Sequence, residues 1–123
     1  MDRQTVAGIG GVMLFADNAD TLAQWYEKHL GIFFTREPGS HEWWCEPPGG
    51  GAAFAIFQSK HPLGHERRQV EIRWRVTNLD DFVEYLVDLG VNIDERQETP
   101  DGAFAWLDDP EGNRVELWQE KEQ

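Results

Sequence analysis

Two short stretches of this 123-residue sequence alternate charged and apolar side chains, a pattern that could place acids and bases on one surface. Glu71, Arg73 and Arg75 alternate with apolar residues, and Glu116 lies between two apolar residues near the end of the chain. In β-strands, side chains two positions apart share a face. A guanidinium binds carboxylate or phosphate, and a carboxylate can act as a general base or a metal ligand. These residues are therefore the first candidates for function.

Each candidate also has an ordinary structural interpretation. Glu116 would form an ion pair with a neighbouring arginine on its own face, and Glu71 would do the same with Arg73. Arg73 and Arg75 could instead lie on a solvated edge, where they would only offset the excess of acidic residues. The sequence favours the ion pair for both glutamates and leaves the two interpretations of the arginines open.

Two amphipathic helices are predicted to support these strands. Apolar residues recur at helical spacing from Leu22 to Leu30, after several N-cap candidates, and Gly31 follows as a typical helix end. The same pattern begins at Asn78 and stops at Gly90.

The two halves of the chain repeat one order of elements, with an offset of about sixty residues. Strand, helix and three strands are predicted over residues 8–58 and again over 70–119, with a polar linker at 59–69. We predict a single α+β domain, residues 1–123, in which two βαβββ modules have mixed sheets curled around a shared cleft. Such a cleft would suit a small molecule.

Strand alternation also predicts an apolar wall for this cleft. If the apolar pairs of the first module face its helix, Phe15 and Phe57 face the other way. The sequence contains six tryptophans, and several lie on or beside predicted strands. The candidate ligand-binding residues are therefore aromatic or charged: Phe15, Trp43, Trp44, Phe57, Glu71, Arg73, Arg75 and Trp118, with Glu116 as a possible catalytic residue.

Composition limits the choice of partner and compartment. The formal net charge of −12 repels phosphate backbones, so we expect no nucleic acid partner. Cys45 is the only cysteine, and no apolar stretch is long enough to span a bilayer. These features favour a cytoplasmic protein with no membrane partner.

The segments WYEKHLGI at residues 25–32 and DDPEGNRVELWQ at residues 108–119 resemble the glyoxalase, bleomycin-resistance and extradiol-dioxygenase superfamily, also called vicinal oxygen chelate proteins. The resemblance covers nearly the whole chain and implies the duplicated βαβββ fold. It also implies a two-fold homodimer and a divalent metal held by side chains on the first and last strands of each module. Carried over to this sequence, the four metal-binding positions are Gly11, Ala55, Glu71 and Glu116.

Glycine and alanine have no donor side chain, so two of these four positions cannot bind a metal. We therefore expect no cofactor and favour a protein that binds a small organic molecule without the full metal site of the family. One alternative is a lyase or isomerase of the glyoxalase I type that binds nickel, zinc, manganese or iron through Glu71 and Glu116. A metal-dependent dioxygenase is disfavoured in the same way. The other alternative is a structural or regulatory dimer with a collapsed cleft.

Overall fold

The computed structural model describes residues 4, 11–46, 52–60, 62–63 and 70–121. Much of the predicted linker, residues 61 and 64–69, therefore lies outside the described residues. The chain divides into two compact units, Met1–Leu63 and Gly64–Gln123. Each unit combines one helix with one mixed β-sheet, which confirms the predicted α+β class.

The first unit contains four regular elements among its described residues: β1 (Gly11–Ala16), α1 (Ala19–Leu30), β2 (Glu42–Cys45) and β3 (Ala53–Gln58). The sheet has the order β1-β3-β2, with β1 parallel and β2 antiparallel to β3. Side chains of β1 and β3 that face α1 are buried, including Leu14, Phe54 and Ile56.

In place of the first of the three strands predicted after α1, the structure has an isolated pair of residues, Thr35 and Trp44. Their backbones exchange two hydrogen bonds of 2.8 and 2.9 Å. Pro38 and Gly39 then form a turn, with Gly39 at a positive φ of 80° and Ser40 N donating to Glu37 O at 3.0 Å. Because the turn follows so soon after Thr35, the pairing does not extend into a regular strand.

The second unit follows the complete predicted order: β4 (Glu71–Arg75), α2 (Leu79–Asp88), β5 (Glu95–Thr99), β6 (Gly102–Asp108) and β7 (Arg114–Glu120). The sheet has the order β4-β7-β6-β5, with β4 parallel to β7 and the remaining pairs antiparallel. Val115 and Leu117 are fully buried on the side of α2, together with Leu86 of that helix. The predicted alternation of β7 is therefore confirmed.

Both helices begin and end where the sequence predicts. Asn18 and Asn78 are the N-caps, and each side-chain oxygen accepts a hydrogen bond of 3.0 Å from the backbone N–H three residues later. Gly31 ends α1 in the left-handed conformation. Among the described residues, neither helix has the length and apolar character needed to cross a membrane.

Candidate functional site

The register of three strands brings charged and aromatic side chains together on one face of the second sheet. Arg73 on β4 lies opposite Glu116 on β7, and Trp106 on β6 lies opposite Glu116 from the other side. Glu116 therefore lies between a guanidinium and an indole. All three point away from the buried face that carries Val115 and Leu117.

Both carboxylate oxygens of Glu116 accept hydrogen bonds. Arg73 Nε donates to Oε2, and the indole N–H of Trp106 donates to Oε1 at 3.0 Å. The Glu116 side chain is only 7% exposed, whereas the Arg73 side chain is 53% exposed. The hydrogen bond that Arg73 donates to Glu116 raises the pKa of Arg73, so this residue stays a cation. A buried carboxylate is thus neutralised by a half-exposed guanidinium.

Three aromatic rings lie in a row beside this ion pair. The Phe104 ring is nearly parallel to the rings of Trp106 and Trp118, at interplanar angles of 8° and 10° and centroid distances of 5.6 and 6.3 Å. The guanidinium carbon of Arg73 lies 5.4 Å from the Phe104 centroid and 5.0 Å from the Trp118 centroid. Arg75 lies 5.4 Å from the Trp118 centroid. We call Arg73, Phe104, Trp106, Glu116 and Trp118 the charged aromatic face.

These contacts leave the arginines with different partners. Arg73 is held by Glu116, whereas Arg75 forms an ion pair of 3.1 Å with Glu120. Arg75 and Glu120 are 68% and 51% exposed, so their pairing contributes little to stability. Glu71 lies two residues before Arg73 on β4, opposite Arg114, and acts on Arg73 through its charge.

The residues at the implied metal positions do not fit a metal ion. Glu116 already accepts a hydrogen bond at each oxygen, and one donor is a guanidinium that repels cations. Ala55 and Gly11 offer no donor atoms, and the structure pairs them with Met13 and Ala53. Within the described ranges, no group of three or more histidine, cysteine, aspartate or glutamate side chains could hold a metal ion.

The first unit also presents aromatic side chains, but it has Met13 and Ala55 where the second unit has Arg73 and Glu116. Phe57 packs edge to face against Phe15 and Trp44, at centroid distances of 5.7 and 5.2 Å. Phe15 is 55% exposed. A hollow of about 590 Å³ opens beside two of these rings and is lined by Phe15, Ser40, His41, Glu42, Phe57, Gln58 and Lys60.

Within the first unit, Trp43 is not brought together with Trp44 and Phe57, because adjacent strand residues point to opposite faces. It lies opposite Ile56, on the side of α1. There its indole N–H donates to Asp20 Oδ1 at 2.8 Å, and the Arg36 guanidinium carbon lies 4.8 Å from its ring centroid. The hydrogen bonds from Trp43 and then His41 lower the pKa of Asp20. The structure thus gives Trp43 a role at the start of α1.

The sequence-based set of site residues omitted Phe104 and Trp106, which complete the charged aromatic face. A signal for them exists in the turn between β6 and β7. Asp109 accepts hydrogen bonds of 2.9 Å from the backbones of Glu111 and Asn113 and fixes this turn. Counting outward from the pair Asp108 and Arg114 places Trp106 opposite Glu116, and Phe104 opposite Trp118.

Comparison with known proteins identifies one matching family. The family model described as the Glyoxalase/Bleomycin resistance protein/Dioxygenase superfamily matches residues 8–117. No curated protein matches the sequence significantly.

Several solved structures share the fold at low sequence identity. A protein from the mobile metagenome of V. Pseudocholerae is 23% identical, with a TM-score of 0.74, and the match covers 98% of this chain and 100% of that one. Lactoylglutathione lyase from Agrobacterium tumefaciens is 17% identical, with a TM-score of 0.72 and coverage of 94% and 96%. A glyoxalase/bleomycin resistance protein/dioxygenase from Nocardioides is 18% identical, with a TM-score of 0.73 and coverage of 98% and 87%.

Proposed function

The chain belongs to the glyoxalase/bleomycin resistance protein/dioxygenase superfamily, and on that basis we propose that it binds a small organic molecule without a metal ion at Glu116. The observation that carries this proposal is the environment of Glu116. Its two oxygens accept hydrogen bonds from Arg73 and Trp106, so a metal ion would have to break both contacts. It would also have to lie beside a permanent positive charge.

The aromatic side chains support binding of an organic molecule. Trp106 and Trp118 are half-buried on the charged aromatic face, so part of each indole remains accessible. Flat rings of this kind offer apolar contact area, and neighbouring charged groups can orient a polar substituent. The ligand that fits such a surface is a small molecule with a planar apolar part and a polar group.

The exposed apolar side chains also support the proposal that the protein acts as a homodimer. Phe33 is 71% exposed, and Val87 and Tyr85 of α2 are 53% and 48% exposed. Large apolar side chains at such exposures are common at interfaces between identical chains. Light scattering coupled to size-exclusion chromatography should give twice the mass of 14.2 kDa.

Metal analysis of protein purified without chelator tests the metal-free proposal. We expect nickel, zinc, manganese and iron well below one atom per chain, and no change in Glu116→Gln. Glu84→Gln, at an exposed position of α2, is the matched control for removing one carboxylate. A near-stoichiometric metal that is lost in Glu116→Gln but kept in Glu84→Gln would favour the alternative, a metal-dependent lyase or isomerase.

A thermal-shift screen of small organic acids, amides and amines tests whether the protein binds a ligand. Compounds that bind the folded protein raise its melting temperature in proportion to the logarithm of their concentration. We expect hits with a flat ring system, and their binding should quench tryptophan fluorescence. No hit from any class at millimolar concentration would support the structural or regulatory dimer instead.

A further inference from the structure

We propose that Arg73 and the ring of Trp118 together form a receptor for a planar aromatic carboxylate. This inference rests on the proposed function and names the chemical class of its ligand. The carboxylate would bind the terminal N–H groups of Arg73, while the ring of the ligand would stack on the indole of Trp118.

Glu116 gives the Arg73 guanidinium a fixed orientation. The hydrogen bond to Glu116 uses Nε and therefore holds one edge of the guanidinium plane against a buried carboxylate. The two terminal nitrogens lie on another edge, where their N–H groups match the two oxygens of a second carboxylate. Because the Arg73 side chain is 53% exposed, a ligand can reach this group from solvent.

The aromatic neighbours support the same orientation. The guanidinium lies near two ring faces at once, those of Phe104 and Trp118. Phe104 is only 7% exposed, so it acts as a fixed support, whereas Trp118 keeps an accessible surface. The Trp118 indole N–H donates to the backbone oxygen of Asp101 at 3.2 Å, which restricts rotation of its ring. A ligand ring would meet a surface that is already ordered.

Arg75 adds a second positive charge to this surface. Its guanidinium lies near the same indole as that of Arg73, so two positive charges are close to one ring. Glu116 is the hydrogen-bonded partner of Arg73, which the charges of Glu71 and Asp101 also reach, and the partner of Arg75 is the 51%-exposed Glu120. A ligand carboxylate bound to Arg73 would also be attracted by Arg75, whose own ion pair is exposed and weak, whereas a cationic ligand would be repelled by both arginines.

Three naphthalene derivatives of nearly equal shape test the charge preference of the wild-type protein: 2-naphthoate, 2-naphthamide and 2-naphthamidine. They carry a negative charge, no charge and a positive charge at neutral pH. In calorimetric titrations we expect 2-naphthoate to bind at least about tenfold more tightly than the amide, since charge-assisted hydrogen bonds are roughly twice as strong as neutral ones. The amidine should bind most weakly.

Two variants test whether Arg73 binds the carboxylate. Arg73→Gln combined with Glu116→Gln removes both charges without leaving a buried carboxylate unpaired. We expect this double variant to lose most of the preference for the acid over the amide. Arg73→Lys keeps the charge but loses the planar fork, so its affinity for the acid should fall about tenfold. The matched control is Arg96→Gln with Asp80→Asn, which removes an exposed ion pair of 2.6 Å elsewhere and should leave affinity unchanged.

Each contrary result overturns the inference. Equal affinity for acid and amide in the wild type, tighter binding of the amidine, or unchanged preference for the acid in the double variant would remove the role of Arg73. If the double variant does not fold, as judged by circular dichroism, Arg73→Lys and the three-probe comparison decide the question. Failure of all three probes alongside hits of another class in the thermal-shift screen would reject this receptor while leaving the proposed function intact.

Discussion

At matching positions, the first sheet has apolar side chains and the second sheet has an ion pair. In the first sheet, Ala55 lies between Met13 and Trp44, whereas in the second, Glu116 lies between Arg73 and Trp106. The central strand of each trio pairs with a parallel strand on one side and an antiparallel strand on the other. At these matching positions both units have a tryptophan, but only the second unit has the acid and the guanidinium.

The starts of the two helices, in contrast, make the same contacts in both units. Asn18 and Asn78 cap the helices through matching hydrogen bonds. Gln58 Oε1 accepts from the backbone N–H of Ala19 at 3.0 Å, and Gln119 Oε1 accepts from that of Leu79 at 2.7 Å. In each unit, therefore, a glutamine at or next to the end of the central strand also holds the first turn of the helix.

This contrast separates residues that maintain the fold from residues available for function. A free backbone N–H at the start of a helix needs an acceptor in any unit of this fold, so the glutamine and the asparagine recur. The face of the central strand that points away from the helix has no such requirement. The second unit places a buried ion pair there, which is costly to desolvate and is not required by the fold.

The largest expected effect comes from placing the acid of the second unit into the first. Ala55 is fully buried, and Met13 beside it cannot neutralise a carboxylate. We expect Ala55→Glu to lower the free energy of unfolding by about 3–5 kcal/mol, the range for an uncompensated buried charge. Urea unfolding followed by circular dichroism measures this change.

The double substitution Met13→Arg with Ala55→Glu is the matched test of this explanation. It recreates the pairing of Arg73 with Glu116 at the equivalent register and should recover part of the lost stability. Equal destabilisation of the single and double variants would show that the volume of the new side chain, and not its charge, causes the effect.

The next largest effect should follow from removing one hydrogen bond to Glu116. Trp106→Phe keeps an aromatic ring in the stack but removes the N–H that donates to Oε1. Because the carboxylate is buried, we expect a loss of about 1–3 kcal/mol. Trp44→Phe is the matched control in the first unit, where the opposing residue is Ala55. A loss in Trp44→Phe as large as in Trp106→Phe would show that packing alone accounts for both.

The sequence predicts the helices and the strand faces because these depend on local periodicity. Apolar spacing and the residues at the helix ends are sufficient to predict where α1 and α2 begin and end. The alternation in β7 places Val115 and Leu117 on the buried face and Glu116 on the other. The separation of Trp43 from Trp44 follows from the same rule, so they could have been assigned to opposite faces.

The sequence does not predict which strands far apart in the chain are neighbours or how they are aligned. The pairing of Arg73 with Glu116 joins residues 43 positions apart and depends on the register of β4 against β7. Periodicity contains no information about that register. The sequence also predicts a full strand near Thr35, where the structure has only the pair Thr35 and Trp44, because this pair forms across a turn whose position is set by Pro38 and Gly39.

The contacts shared by the two units should give smaller and similar effects. Gln119→Ala removes the acceptor for Leu79 N, and Gln58→Ala removes the acceptor for Ala19 N together with a 2.6 Å bond to Asp17 O. We expect each substitution to cost about 0.5–1.5 kcal/mol in urea unfolding. Gln24→Ala, at an exposed position of α1, is the control and should change stability by less than about 0.5 kcal/mol. A clear loss in only one of the two glutamine variants would contradict their equivalence.

The smallest expected effect concerns pH and again compares equivalent positions, Asp20 in α1 and Asp80 in α2. The hydrogen bonds from Trp43 and His41 lower the pKa of Asp20 below its ordinary value of 3.8. A carboxyl whose pKa is lower in the folded state stabilises that state above its unfolded pKa, and this contribution is lost as the pH falls through the folded value. Unfolding free energies of the wild type should therefore decrease below about pH 4, the ordinary range for aspartate. The decrease should be shallower in Asp20→Asn than in Asp80→Asn. In the wild type, the carboxylate of Asp80 accepts a hydrogen bond from Arg96 and not from a tryptophan. Parallel pH profiles for the two variants would mean that the bond from Trp43 does not distinguish the first unit from the second.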